Sequence, residues 1–285
     1  MPKKFILNAE GLGASKAINR GVLEGYEGEF LKSATVMANG DAFEDAMENV
    51  LPNCEGLGVG IQLNISEGSP LCTDLKTITD SNGKFNNSFF SIFLKAYNPK
   101  EKEFFPEIER EFRRQIEKLS SKTKITHISS VNRIHEIPKI FDLVCRLAKE
   151  YKIDYVRSSY EKFYVVPDFF KHFKVKYAVN FLKALLFDFL TLFNEITLNK
   201  YGIKTNDYFI GGIYDNMSDA LTVSYGVSAI KYKDFTVECV IKPCRYDEGT
   251  IDNYFNEFLV TKNKKLKDKI LRLGFEITNY VEENN

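Results

Sequence analysis

The chain carries no excess charge of either sign. Lysine plus arginine and aspartate plus glutamate both number 39 in its 285 residues. No long-range field therefore draws in a polyanion, and nucleic acid is excluded as the expected partner. The cysteines do not pair by spacing. Cys54, Cys72, Cys145, Cys239 and Cys244 are odd in number and widely separated, with no CxxC. This excludes a disulfide framework and a cysteine zinc site, and predicts free thiols. The N-terminus, MPKKFILNAEG, breaks off after a short apolar run and lacks the cleavage site of a signal peptide. A cytoplasmic location is the expectation. Long apolar runs are missing too. The richest, residues 181–193, contains Lys183 and Asp188 and is too short to span a bilayer. It reads as a core helix, or as a helix whose outer face meets a second subunit in a homo-oligomer. No internal repeat and no linker rich in proline, glycine or serine divides the chain, so residues 1–285 read as a single domain.

What is present is an alternation of strand and helix. Residues 5–8 form a short apolar run ending at a glycine-rich turn, which predicts a buried strand. Residues 15–24 then read as a helix capped by Ser15. Residues 31–38 predict a strand stopped by Asn39-Gly40, 41–50 a helix capped by Asp41, and 57–65 a third strand. Residues 66–98 form a long excursion, rich at first in serine, glycine, asparagine and threonine; such loops in compact domains are often functional. Further helices are expected over 106–119, 137–151, 176–200 and 262–273. Further strands are expected over 125–131, 153–156, 208–213 and 235–241. Mostly apolar strands alternating with helices predict a parallel sheet covered by helices, here an irregular TIM-like (β/α) barrel. Ligands of such folds meet the loops after the carboxyl ends of the strands. The positions of interest therefore follow Leu7, Ala38, Ile65, Ser130, Val156 and Ile241.

Those strand ends carry an ordered set of motifs. Asn8-Ala9-Glu10-Gly11-Leu12-Gly13 resembles N-A-D-D-F-G, and Asn19 follows one helix on. Residues 34–40, ATVMANG, resemble a second strand. Gly60-Ile61-Gln62-Leu63-Asn64-Ile65 resembles G-x-H-L-x-L, with Gly68 and Pro70 behind it. Residues 80–85 resemble D-x-x-G-x-F. Residues 126–131, THISSV, resemble T-H-x-D-S-H and continue to His135 and Pro138. Gly202-Ile203-Lys204-Thr205 and Phe209-Ile210-Gly211 match a late segment. Glu238-Cys239-Val240-Ile241-Lys242-Pro243 resembles E-L-M-x-H-P. In order and spacing, to about residue 245, the chain resembles the YdjC-like carbohydrate deacetylases.

The resemblance implies removal of an acetyl group from an N-acetylated amino sugar. In that chemistry a divalent cation polarises the amide carbonyl and binds the attacking water, an aspartate acts as base, and a late histidine acts as acid. The family's metal-ligand positions fall here on Gly11, Gln62 and Val131, which lack strong ligands, so no metal cofactor is expected. Only the Gln62 amide oxygen could serve a hard cation. The base position is Glu10 and the acid position Lys242. Ser129, Asn132 and Arg133 occupy further altered positions, and Arg157 matches a family arginine. The candidate substrate-binding residues are Gln62, Asn64, His127, Arg133, His135 and Arg157.

Three functions stay open at this point. In the first, Lys242 pairs with Glu10, and the chain is an inert homologue or binds a saccharide without turnover. In the second, Lys242 and Arg133 hold a sugar group while Glu10 acts as base, or a deacetylase activity persists. In the third, the barrel is an interaction scaffold presenting residues 181–193. His127, His135 and His172 are the only histidines, so no histidine metal cluster is expected elsewhere. Tyr151, Tyr155, Tyr160 and Tyr164 are candidates for stacking on sugar rings, or are ordinary packing. Arg157 reads equally as a ligand clamp or a structural ion-pair partner. Gly11-Leu12-Gly13 lacks the spacing of a phosphate loop, and KNKKLKDK (262–269) reads as a solvated helix face. Asp80 and Asp247 are further acids that loop geometry could bring to the site.

Overall fold

The computed structural model describes residues 3–167, 175–230, 235–246 and 250–281. In chain order its elements are β1 (Lys3–Leu12), α1 (Lys16–Tyr26), β2 (Ser33–Val36), α2 (Phe43–Asp45), β3 (Gly58–Leu63), β4 (Glu67–Gly68), β5 (Phe85–Asn86), α3 (Phe89–Tyr97), α4 (Phe104–Ser120), β6 (His127–Ser130), α5 (Pro138–Glu150), β7 (Tyr155–Val156), α6 (Val175–Tyr201), β8 (Tyr208–Ile210), α7 (Ala220–Ala229), β9 (Thr236–Ile241), α8 (Asn253–Thr261), α9 (Lys264–Arg272) and β10 (Phe275–Ile277).

The main sheet runs β7-β6-β3-β2-β1-β9-β8, with β10 added beside the start of β1. Its pairings are parallel. The sheet curls until its two ends meet. Tyr155 on β7 bridges to Lys204 ahead of β8, and the Phe209 N–H donates to the Tyr160 carbonyl at 2.8 Å. The result is an incomplete (β/α) barrel, as the alternation predicts. β2 and β3 are buried at every residue, because helices cover one side and the barrel interior the other.

The barrel interior is filled unevenly. At the amino ends of the strands, the ring of His127 stacks on Tyr280 with centroids 4.1 Å apart. Tyr155 lies against the same tyrosine at 5.2 Å. The Tyr280 hydroxyl donates to Glu238 at 2.7 Å. Gly60 makes room for this floor, since a Cβ there would collide with the His127 ring. The carboxyl ends stay open.

Several boundaries differ from the sequence reading. Ser15 does cap α1, accepting from the Ile18 N–H at 3.3 Å. Asp41 caps nothing: α2 starts after Ala42 without a side-chain cap and widens into a loose turn over Ala46–Val50. Pro52 then sits in a tight turn over Leu51–Asn53. The 66–98 excursion is more ordered than its composition suggests. It contains the β4–β5 hairpin and α3, which Ser88 caps through the Ser91 N–H at 3.2 Å. The basic segment 262–273 is α9, entered through an Asn263 cap. Helices α7 and α8 and strand β10 were not expected. Among the described residues, no helix is long and apolar enough to cross a membrane.

Candidate functional site

A cavity of about 430 Å³ opens at the carboxyl ends of the strands. Gly11 from β1, Met37 after β2, Gln62 from β3, Val131 after β6 and Lys242 after β9 all line it. Four positions singled out from the sequence thus converge because the sheet curls. Glu67, Asn132, Tyr246 and Tyr254 complete much of the wall. Asn19 steadies the rim. It accepts from the Gly13 N–H at 2.8 Å and donates to the Ala42 carbonyl at 3.0 Å, tying the turn after β1 to the segment after β2.

Glu10 lies just beneath this cavity, 8% exposed. The expected Glu10–Lys242 pair is not its main contact. Glu10 pairs instead with Arg157. The guanidinium of Arg157 is fully buried and also grips Glu238, with its Nε donating at 2.8 Å and Nη2 at 2.5 Å. Burial alone would lower the arginine pKa, but Glu238 and Glu10 outweigh it and raise it. The reason for the different partner is reach and charge balance. A buried guanidinium needs carboxylates around its planar fork, and the barrel interior offers these two. Arg157 is therefore a structural clamp that fixes Glu10, with no surface open to a ligand.

Lys242 keeps its charge. Burial would depress its ammonium, yet Glu10 and Asp215 outweigh that and hold its pKa above the ordinary value. Its backbone N–H donates to Glu257 at 2.6 Å. Burial pushes the Glu257 carboxyl up to about 8. Lys242 is thus a fixed cation at neutral pH, suited to hold an oxygen ligand or an oxyanion rather than to take up a proton.

The remaining candidates are spread more widely. Gln62 is buried and its Oε1 has no hydrogen-bond partner among the described residues. Its side chain borders the cavity, while this oxygen itself is buried. Asn64 is used by the chain itself: its Oδ1 accepts the N–H groups of Ser66 and Glu67, and its Nδ2 donates to Asn39 and to the Glu67 carbonyl. His127 lies in the floor at the opposite end of the barrel. His135 is buried, with Nδ1 2.6 Å from the Ser130 hydroxyl. Burial, with Arg157 and Arg133 nearby, drives its pKa down to about 3. Neither histidine lines the cavity.

Arg133 lines a neighbouring cavity of about 220 Å³ with Asn132, Lys183, Phe187 and Asp215. Its guanidinium lies 4.5 Å from the Phe187 ring centroid and 3.7 Å from the Asp215 carboxylate. Asn132 borders both cavities. Asn132 and Arg133 have φ of 53° and 55°, a left-handed backbone that costs energy in non-glycine residues and often marks working loops. None of Tyr151, Tyr155, Tyr160 and Tyr164 lines the cavity of Gln62 and Lys242; Tyr246 and Tyr254 take that place. Asp80 is exposed and closes its own hairpin turn. His172 and Asp247 lie outside the described residues. Glu257 and Tyr254 escaped the sequence reading because they sit on α8, a helix it did not expect.

The donor set does not fit the divalent cation that the resemblance implies. Gly11 and Val131 offer no donor atom, and Gln62 offers one amide oxygen. Among the described residues, no three histidine, cysteine, aspartate or glutamate side chains come together in a way that could hold a metal ion. The ammonium of Lys242 stands at the same cavity wall.

Comparison with known proteins bears on the family and the fold. A carbohydrate deacetylase of Clostridium beijerinckii is 38% identical over 151 residues, 53% of this chain and 58% of that protein. One from Brevibacillus brevis is 36% identical over 151 residues, 53% of this chain and 57% of that protein. The match thus spans little more than half the length of these relatives. The solved structure of a putative cellobiose-phosphate cleavage protein from Enterococcus faecalis superposes with a TM-score of 0.75 at 19% identity, covering 98% of both chains. It shares the fold. The profile of the YdjC-like proteins matches residues 4–265, and the chain belongs to that family.

Proposed function

We propose that this chain binds a saccharide in the cavity between Gln62 and Lys242 and has lost the metal-dependent deacetylation implied by its sequence resemblance. The observation that carries this reading is the make-up of that one cavity. It combines the Gln62 amide, a charged Lys242 and two tyrosines with two positions, Gly11 and Val131, that offer no side-chain donor. Hydroxyl-rich ligands suit such a wall, because each hydroxyl can donate to one group and accept from another. The name of the curated relatives, carbohydrate deacetylase, supports a saccharide as the ligand class. Five unpaired thiols favour a reducing compartment, so we assign the chain to the cytoplasm.

A second reading has one observation in its favour. A lysine held protonated could stabilise the oxyanion of a metal-free acetyl hydrolysis, with Glu10 as base. The pairing of Glu10 with Arg157 weighs against it, since that contact already engages the carboxylate that would have to take the proton.

The two readings separate in one set of measurements. Protein stripped of metal and protein loaded with divalent metal are each incubated with acetylated chito-oligosaccharides, and acetate is measured. Calorimetric titration with a glycan panel runs in parallel. Binding without acetate release supports the proposal. Replacing Gln62 with alanine should then weaken binding by roughly three- to tenfold, and Lys242→Met by roughly ten- to a hundredfold, the range for neutral and charged hydrogen bonds. Metal-stimulated acetate release would overturn the loss of deacetylation. No glycan bound at millimolar concentration would overturn the ligand class.

A further inference from the structure

A third cavity, of about 560 Å³, lies among the helices. It is larger than either cavity described above. Its walls come from Tyr177 of α6, the segment leading into α7, and one face of α8. It shares no lining residue with the cavity of Gln62 and Lys242. Helix α8 stands between the two. Tyr254 lines the inner cavity, while Asn253, Asn256 and Val260, spaced three and four residues apart, line this one. The buried carboxylate of Glu257 completes the partition. It accepts from the Lys242 N–H at 2.6 Å on the inner side and from the Ser218 N–H at 3.4 Å on the outer side.

The lining excludes several ligand classes. Among the described residues, no lysine, arginine or histidine lines this cavity, so no side chain there pairs with a phosphate or carboxylate. Its one acid, Asp219, already caps α7, accepting from the Thr222 N–H at 2.8 Å. A single engaged carboxylate does not make a cation site. What remains is neutral hydrogen bonding. Asn253 and Asn256 are exposed, and their side chains make no hydrogen bond among the described residues. Asn263 accepts from the Leu266 N–H at 2.9 Å through its Oδ1, which leaves its Nδ2 to donate. A carboxamide presents a donor and an acceptor side by side, the complement of two adjacent hydroxyls. Leu221 and Leu259, 49% and 46% exposed, add an apolar wall that suits the C–H face of a sugar ring. The volume falls within the roughly 300–1,000 Å³ of small-molecule sites.

We propose that this outer cavity is a second saccharide site, which holds a neutral sugar through Asn253, Asn256 and Asn263 against Leu221 and Leu259. It goes beyond the saccharide proposal for the inner cavity and stands or falls separately, because it has its own wall and does not use Lys242. Neutrality is the property that sets the outer site apart, since the inner cavity carries the Lys242 cation.

The chain contains no tryptophan, which allows a reporter to be placed in one cavity alone. Leu221→Trp and Leu259→Trp put a single indole on two different walls. Titration of either full-length variant with N-acetylglucosamine or glucose should give a saturable change in tryptophan emission, with roughly millimolar affinity for a ligand so small. Adding Asn256→Ala should weaken it by roughly three- to tenfold, the range for one neutral hydrogen bond. Adding Lys242→Met should leave it unchanged. Glucose 6-phosphate should bind no better than glucose. Saturation-transfer NMR on the chain without a reporter covers the case in which an indole fills the cavity itself. The N-acetylglucosamine signal should persist in Lys242→Met and fall when Asn253→Ala and Asn256→Ala are combined. No saturable emission change together with an NMR signal unaffected by the asparagine pair would overturn the proposal. So would a response lost in Lys242→Met, which would assign the binding to the inner cavity. Tighter binding of glucose 6-phosphate, or a response to trialanine and none to the sugars, would overturn the ligand class.

Discussion

At the residue scale, the buried acids set how this protein responds to pH. Burial raises Glu136 and Glu161 to about 7 and Glu257 to about 8, above an ordinary value of 4.5. A carboxyl raised in the folded state binds its proton more tightly there than in the unfolded chain. Its contribution to stability therefore falls as pH rises from the unfolded value through the folded one. His135 acts in the opposite sense. Its folded pKa of about 3 lies below the ordinary 6.5, so stability rises with pH up to about 6.5 as the unfolded state loses that proton. Above about 6.5 only the carboxyls still act among these four groups, and stability should decline toward pH 8 and beyond. Urea midpoints measured at pH 6.5 and 8.5 check this. Glu257→Gln should flatten the decline, and an unchanged slope in that variant would assign the dependence to other groups.

These residues were only partly legible in the sequence. Gly11, Gln62, Val131 and Lys242 sit at strand ends, and in a parallel barrel strand ends converge, so their meeting followed from the motif order. The partner of Glu10 did not. Arg157 follows β7 and reaches Glu10 across the barrel interior, and no local spacing encodes a contact through the middle of a barrel. His127 and His135 kept their motif positions yet point into packing. A conserved-looking pattern of letters does not state which way a strand residue faces.

At the scale of elements, α4 shows how a long excursion is held. Glu107, Glu111 and Gln115 recur every four residues and form one buried polar face. Glu107 accepts from the N–H groups of Lys76 and Thr77, at 2.8 and 2.7 Å. Glu111 accepts from Leu71 and Cys72, at 3.0 and 2.9 Å. Gln115 exchanges hydrogen bonds with the backbone of Asn64. The helix thus supplies acceptors to the backbone N–H groups of Asn64, Leu71, Cys72, Lys76 and Thr77. Glu111 and Gln115 stand one helical turn apart in the sequence, but their partners lie about 40 to 50 residues away. Glu111→Ala should strip two backbone donors of their acceptor and cost about 1–3 kcal/mol. Limited proteolysis should then cut first within residues 68–80. Cleavage elsewhere would show that the clamp is not what orders this segment.

Helices with a single apolar face, such as α1, α4 and α5, were readable, and α1 carries a side-chain cap as well. Helix α7 was not, because its apolar residues do not concentrate on one side. Strand β10 is three residues long and gains its partners from β1, more than 250 positions earlier. A strand so short has no period to detect. Helix α6 was readable as a helix, and its two-sided apolar character, which left core packing and subunit contact both open, is resolved into an inner face and an outer one.

At the scale of the whole molecule, the barrel has one closed end and one open end, and they do different work. The closed end depends on the segment after β10. Tyr280 stacks on His127, donates to Glu238, and so supports from below the same carboxylate that Arg157 grips. The open end holds the cavity, with Gln62 and Lys242 at its wall. Perturbing the floor should therefore lower stability without changing what the cavity can bind, provided the barrel stays folded. Tyr280→Phe keeps the ring stack and removes only the hydroxyl, so it should cost about 1–2 kcal/mol by leaving one Glu238 hydrogen bond unmade. Tyr280→Ala also removes the ring from a buried site and should cost about 3–5 kcal/mol. Denaturant unfolding gives both values, and glycan titration well below the melting temperature gives the affinity. If Tyr280→Phe weakens ligand binding as much as Lys242→Met does, the two ends are coupled through Glu238, Arg157 and Glu10 and do not act independently.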